Sequence, residues 1–252
     1  VQGFSRRAPL VAALALVAAA LMGVPAQAEA TSSVVGTRPS ALPRPESTPT
    51  PAPVAAQAPT AVGQVCGPPY VQGNPNLGPL YLPRQGWIAR ILRGYVPLGG
   101  LPPLAFVYRY WNDTDNGWRY PPDFGFAHSG GYTNGRPLIS ATALPVGTRL
   151  DRFGGENGSF LAPYGTPYVR RSLPPSNLNT FAGDPQHVCN YHAYEVIKPF
   201  KADAGPAASA FQQQGVGTQY HLLSKHIPEA PQTPAELPVS WLVANGYLKR
   251  LN

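Results

Sequence analysis

The sequence predicts an α+β domain, and three observations carry that prediction. Helical spacing appears in two short stretches close together. Most of the remaining chain is short segments separated by turn-forming residues. The composition also changes abruptly near Val65, where aromatic residues begin to recur. Helices in one block and strands in another, without regular alternation, describe helices packed on a mainly antiparallel sheet.

In chain order, residues 1–28 read as a signal peptide: Arg6 and Arg7 form a positive start, an apolar run extends from Leu10 to Val24, and Ala26-Gln27-Ala28 supplies small residues for cleavage before Glu29. The apolar run is shorter than the roughly 20 residues that a membrane helix needs, so no stable span is expected after cleavage. Residues 29–64 are rich in Pro, Ala, Ser and Thr, lack aromatics and show no periodicity. That composition describes an extended linker. Residues 65–252 form the folded domain.

Within it, WIARILRGY (Trp87 to Tyr95) places Trp87, Ile88, Ile91 and Leu92 on one helical face. LPPLAFVYRYW (Leu101 to Trp111) is a second short helix opened by prolines. The turn signals NDTDNG, HSGGYTNG, PVG and RFGGENG then mark short strands. HAYEVIKPF (His192 to Phe200) alternates as a strand does. PVSWLVANGYLKRL reads as a C-terminal helix or helix-turn interrupted at Asn245-Gly246.

Charge and cysteine content narrow the function. The net charge is +7, yet only 12% of residues are charged and no Lys/Arg run or basic helix occurs, so nucleic acid is not the expected partner. The cysteines, Cys66 and Cys189, are even in number, lack CxxC spacing and come after an export signal. They are expected to form one disulfide. Neither a GxSxG elbow nor an HExxH helix is present. Asp113, Asp115, Asp151, Glu156 and Glu195 show no paired-carboxylate pattern. Among the histidines only His187 and His192, near Cys189, approach metal-ligand spacing, and no metal site is assigned.

The stretch LDRFGGENGSFLAPYGTPYVRRSLPP (Leu150 to Pro175) is the most informative. Arg152 sits beside Phe153 and a glycine-rich turn, and Arg171 precedes Leu173-Pro174-Pro175. Guanidinium groups fixed by stiff backbone suit phosphate oxygens, and an adjacent aromatic suits a planar ring. The alternative is an Asp151–arginine salt bridge that staples a hairpin. FQQQGVGTQY (Phe211 to Tyr220) lacks the lysine and spacing of a phosphate loop; it reads as a hairpin presenting Gln219, or as an exposed polar turn.

Taken in order, the blocks WRYPPDFGF (from Trp118), LDRFG (from Leu150), FLAPYGTPY (from Phe160), RSLPPSNLN (from Arg171), NYHAYEV (from Asn190), GVGTQY (from Gly215) and NGYL (from Asn245) resemble the tuberculosis necrotizing toxin domain family, and within it the secreted surface NADases. The resemblance spans nearly all of residues 65–252. It implies a helical N-terminal thumb on a core of small antiparallel sheets, and hydrolysis of NAD to nicotinamide and ADP-ribose with no metal at the reaction centre and no cofactor besides the substrate.

Residue by residue, the resemblance implies catalytic roles for Gln219 and Arg152, with Arg152 and Arg171 on the diphosphate. Phe153, Phe160, Tyr191 and His192 are expected to contact substrate. The family pattern W-F-G-Q-P-G-G-G-x-Q is replaced here by Ala210 to Gln219, without the tryptophan, the proline and two glycines. NADP as a second substrate, an immunity protein and a homodimer are left open. Two other readings compete: a basic, non-enzymatic surface-binding module, and a protein ADP-ribosyltransferase. For the latter, Glu156 and Glu195 are not well placed to orient an acceptor.

Overall fold

The structure, a computed structural model, describes residues 63–252. The expected signal peptide (1–28) and the expected linker (29–64) lie outside the described residues, except for Gly63 and Gln64. Among the described residues, no helix is long and apolar enough to cross a membrane.

Helices are few and short: α1 (Gly86–Ile91), α2 (Pro103–Tyr110), α3 (Gly131–Asn134) and α4 (Val239–Ala244). The strands are β1 (Trp111–Asn112), β2 (Gly117–Trp118), β3 (His128–Ser129), β4 (Arg136–Pro137), β5 (Ser140–Leu144), β6 (Arg149–Phe153), β7 (Phe160–Pro163), β8 (Tyr191–Val196), β9 (Phe200–Pro206), β10 (Thr218–His221) and β11 (Leu248–Arg250). Seven of them form one sheet in the order β11-β8-β6-β7-β10-β9-β5, while β1–β2 and β3–β4 are separate two-stranded pairs. Every pairing is antiparallel.

Both expected helices form. The first is shorter than its periodicity, because the chain leaves the helix at Leu92 and turns through Gly94 at φ 80°. The second starts at Pro103, a position where the missing N–H costs nothing.

Two expectations fail in part. HAYEVIKPF is not one strand: β8 ends at Val196, and Phe200 opens β9, which lies elsewhere in the sheet between β10 and β5. Pro199 interrupts the run and cannot donate to a ladder. The C-terminal segment is helix and then strand. Gly246, at φ 72°, ends α4, and Leu248 to Arg250 add β11 to the free edge of β8, with Leu248 opposite Val196. Edge pairing outweighs the helical spacing of a segment this short.

Three apolar clusters hold the domain. One fills the space between the sheet and α4, around Leu150, Tyr194, Leu222, Leu242 and Leu248. A second sets α1 against β6 and β8 through Ile91, Phe153, Tyr168 and Tyr191, and contains the Cys66–Cys189 disulfide, fully buried. The bond joins residues 123 apart in sequence and stabilises by roughly 4–5 kcal/mol on a chain-entropy account. The third packs α2 against the 207–217 connection, where Phe211 meets Phe106, Tyr110 and Trp118.

Candidate active site

A cavity of about 450 Å³ opens at the middle of the sheet, a size that suits a small organic ligand. Its walls come from β6, β7 and β10, the turn before Phe126, the segment 171–173 and Glu236. Arg152, Phe153, Phe160, Arg171 and Gln219, five of the seven side chains expected at the site, line it. Tyr191 and His192 are not among its walls.

Arg152 belongs to β6, opposite His192 of β8. The β6–β7 connection folds over its guanidinium. Nε donates to the Gly154 carbonyl (2.9 Å) and Nη1 to the Phe160 carbonyl (3.0 Å). Gly158 makes this possible, because a Cβ there would lie 2.2 Å from Nη2. Burial pulls the Arg152 pKa down, with Tyr194 and Glu156 pulling it back. A guanidinium stays charged even so. Among the described residues, none of the salt bridges involves Arg152 and no protein group accepts from Nη2. Arg152 leaves β6 on the face opposite Asp151, Phe160 and Gln219, and its part-buried guanidinium reaches the cavity edge through the gap beside Gly154 and Gly158, a cation held by neutral carbonyls that favours an incoming anion.

Arg171 differs. Its Nη2 lies 2.6 Å from Asp151 Oδ1, its Nε donates to the Thr166 carbonyl, and its guanidinium sits 5.3 Å above the Phe153 ring. Asp151 is fully buried and also accepts from the Gly165 N–H (2.8 Å) and the Tyr191 hydroxyl (2.9 Å), both at Oδ2. Burial pushes the Asp151 carboxyl up, against the pull of Arg171 and those two donors. Both arginines expected on a diphosphate line the cavity, but they differ: the Asp151–arginine bridge forms with Arg171 as the partner, whereas the Arg152 guanidinium has no carboxylate partner among the described residues.

Tyr191 supports this arrangement from behind. Its hydroxyl accepts from Trp87 Nε1 (2.8 Å) while donating to Asp151. Phe153 is nearly covered, edge-on to Tyr168 at 5.0 Å, so it forms a wall more than a stacking surface.

Gln219 is presented by β10, opposite Gly205 of β9. The altered loop before it is firmly held. Gly215 N–H bonds to Val169 O, Gly217 N–H to Arg170 O, and the Gln213 side chain to Leu173 O. The amide Nε2 of Gln219 donates to the Phe124 carbonyl at 3.0 Å. Asp123 and Phe124 both take positive φ, 50° and 56°, a strained backbone that leaves Phe124 exposed at the cavity.

Phe160 stacks on the His221 imidazole at 4.4 Å, and the Nε2 of that imidazole meets Glu236 Oε1 at 2.5 Å. Phe124, His221 and Glu236 were given no role by sequence reasoning. Phe124 lay inside a recognised block, whereas Glu236, in the polar run APQTPAEL, carried no local signal.

His192 is buried and stacks on His187 (4.2 Å, 26° between planes), while His187 Nδ1 lies 2.7 Å from Asp184. These three residues place ligand-capable atoms within 4.8 Å of one another. Lone pairs lie in the ring planes, so the stacked imidazoles direct them nearly side by side instead of toward one centre.

Burial, then His187, lowers the His192 pKa from 6.5 to about 4. Between those values the unfolded chain takes up a proton that the folded chain refuses. Stability is therefore complete above pH 6.5 and falls as pH drops toward 4. Urea midpoints measured from pH 7 to 4.5 are expected to fall more steeply for the native chain than for His192→Asn. Equal slopes would show that His192 does not contribute.

Compared with known proteins, residues 143–251 match the family model for the tuberculosis necrotizing toxin. The conidial surface nicotinamide adenine dinucleotide glycohydrolase nadA of Aspergillus fumigatus is 43% identical over 185 residues, which cover 73% of this chain and 71% of that protein. The solved tuberculosis necrotizing toxin, complexed with its immunity factor IFT, aligns at 21% identity over 59% of this chain and 71% of its own, with a TM-score of 0.43. On the extent and identity of the match to the fungal protein, together with the family model, this chain belongs to the tuberculosis necrotizing toxin family.

Proposed function

We propose that the protein is an NAD glycohydrolase that acts outside the cell, cleaving the nicotinamide–ribose bond to give nicotinamide and ADP-ribose. The family and the fungal relative's activity support the reaction. The single structural observation behind it is the half-buried Arg152 guanidinium, without a carboxylate partner among the described residues, on a cavity that Gln219 also lines. The signal peptide expected from the sequence and the disulfide support the location.

In this reading the NAD diphosphate meets Arg152. The nicotinamide riboside lies toward Gln219, between Phe124 and Phe160. Nicotinamide leaves NAD as a neutral molecule, so no acid has to protonate it. What the site must do is orient the ribose, exclude bulk water and stabilise the positive charge that develops on the ribosyl ring. The Gln219 carbonyl can face that ring, since its amide nitrogen is held by Phe124.

Purified protein is expected to convert NAD to nicotinamide and ADP-ribose in equal amounts. Gln219→Ala is expected to lower kcat about 100-fold, the scale of removing one preorganised polar group. Its melting temperature should hold, because among the described residues the one side-chain bond lost is that to Phe124. Intact NAD with the native protein would overturn the reading.

A further inference from the structure

Two carboxylates line the cavity, Asp151 and Glu236. Asp151 is committed to Arg171, Gly165 and Tyr191. Glu236 is not. Its side chain is 45% exposed, and among the described residues it bonds only to the imidazole of His221, a residue 1% exposed.

The topology fixes Glu236 at this wall. Segment 235–237 runs beside the extension of β10, with Ser224 N–H on Ala235 O, Leu237 N–H on Leu222 O, and Leu223 bridged to Glu236. Gln219 and His221 are two residues apart on β10 and so share a face. The His221 ring is clamped between Phe160 and Phe124, both of which line the cavity.

Resting on the glycohydrolase reading, we propose that Glu236, aimed by His221, is the carboxylate of the reaction: it faces the ribosyl cation and takes a proton from the attacking water. The bond between the anomeric carbon and the pyridinium nitrogen breaks, and its electron pair leaves with neutral nicotinamide. Water oxygen bonds to the anomeric carbon. One water proton passes to the Glu236 carboxylate and then to solvent, and the other remains on the new hydroxyl of ADP-ribose.

His221 is a positioning residue. Burial lowers its pKa, against the opposing pull of Glu236, which favours the uncharged imidazole as the partner of Oε1. The other charged groups around the pair are Arg152 on the cavity wall, and Asp203 and Lys225, which act on His221 from β9 and from the turn after β10.

The test compares native protein, Glu236→Gln and Glu236→Ala in nicotinamide release from NAD across pH 4 to 9, with melting temperatures measured alongside. For Glu236→Gln the expected result is a kcat at least tenfold lower with KM within about threefold, and no acid-side fall in kcat where the native enzyme is expected to show one. Formate should restore part of the rate of Glu236→Ala. A Glu236→Gln enzyme with native kcat and an unchanged acid limb overturns this inference while leaving the glycohydrolase reading intact. A native protein that leaves NAD uncut fails at the earlier reading instead.

Discussion

Arg152→Gln is expected to lower kcat/KM for NAD roughly a thousandfold. The native guanidinium is desolvated by the β6–β7 connection and held by the Gly154 and Phe160 carbonyls, with no protein anion in contact among the described residues. A diphosphate that replaces the missing counter-charge gains a hydrogen-bonded ion pair away from water. Truncating one partner of such a pair costs about 2–5 kcal/mol, and each 1.4 kcal/mol is a factor of ten. Glutamine retains polarity but not charge. Arg152→Lys should fall between the two, since an ammonium keeps the charge but not the planar fork that reaches both carbonyls. Substitution also removes two backbone contacts, so circular dichroism must show each variant folded. A folded Arg152→Gln with native kcat/KM would remove Arg152 from the binding machinery.

Asp151→Asn is expected to destabilise the fold by about 3–5 kcal/mol, because it strands the buried Arg171 guanidinium without a counter-charge. A loss of that size is a large share of the roughly 5–15 kcal/mol that holds a typical domain together. Urea unfolding measures it. The double variant Asp151→Asn, Arg171→Met should recover part of the loss, since it removes the stranded charge as well as its partner. A loss under about 1 kcal/mol in Asp151→Asn would mean that the ion pair contributes no more than an exposed one. The consequence for function is indirect: Asp151 and Phe153 share one face of β6 and fix Arg171 over the ring, and this forms the back wall of the cavity.

Arg152 and Gln219 were legible in the sequence because each sits inside a contiguous block whose chemistry is local. Which arginine would carry free charge was not. That depends on the pleat of β6, which sends Asp151 and Arg152 to opposite faces, and on the turn that brings Arg171 to the Asp151 side. Tyr191 and His192 stood in a recognised block and were expected at the substrate. In the sheet they pair with Phe153 and Arg152 from β8, one strand over from β6 and off the cavity walls, where Tyr191 holds Asp151 and His192 packs on His187.

The helices were legible from their spacing. The C-terminal strand was not, because its three residues are extended only by the free edge of β8. Glu236 was invisible for a similar reason: its meaning comes from His221, fifteen residues away along the chain and 2.5 Å away in space.

The proposed function makes the cavity lined by the Arg152 guanidinium and the Gln219 amide the seat of a pyridine dinucleotide. A crystal structure of the slow Gln219→Ala variant soaked with NAD tests that claim most directly. Diphosphate oxygens are expected within hydrogen-bond distance of Arg152 Nη2, and the nicotinamide ribose beside position 219, between Phe124 and Phe160. NAD bound outside this cavity, or seated in it with the diphosphate away from Arg152, would contradict it.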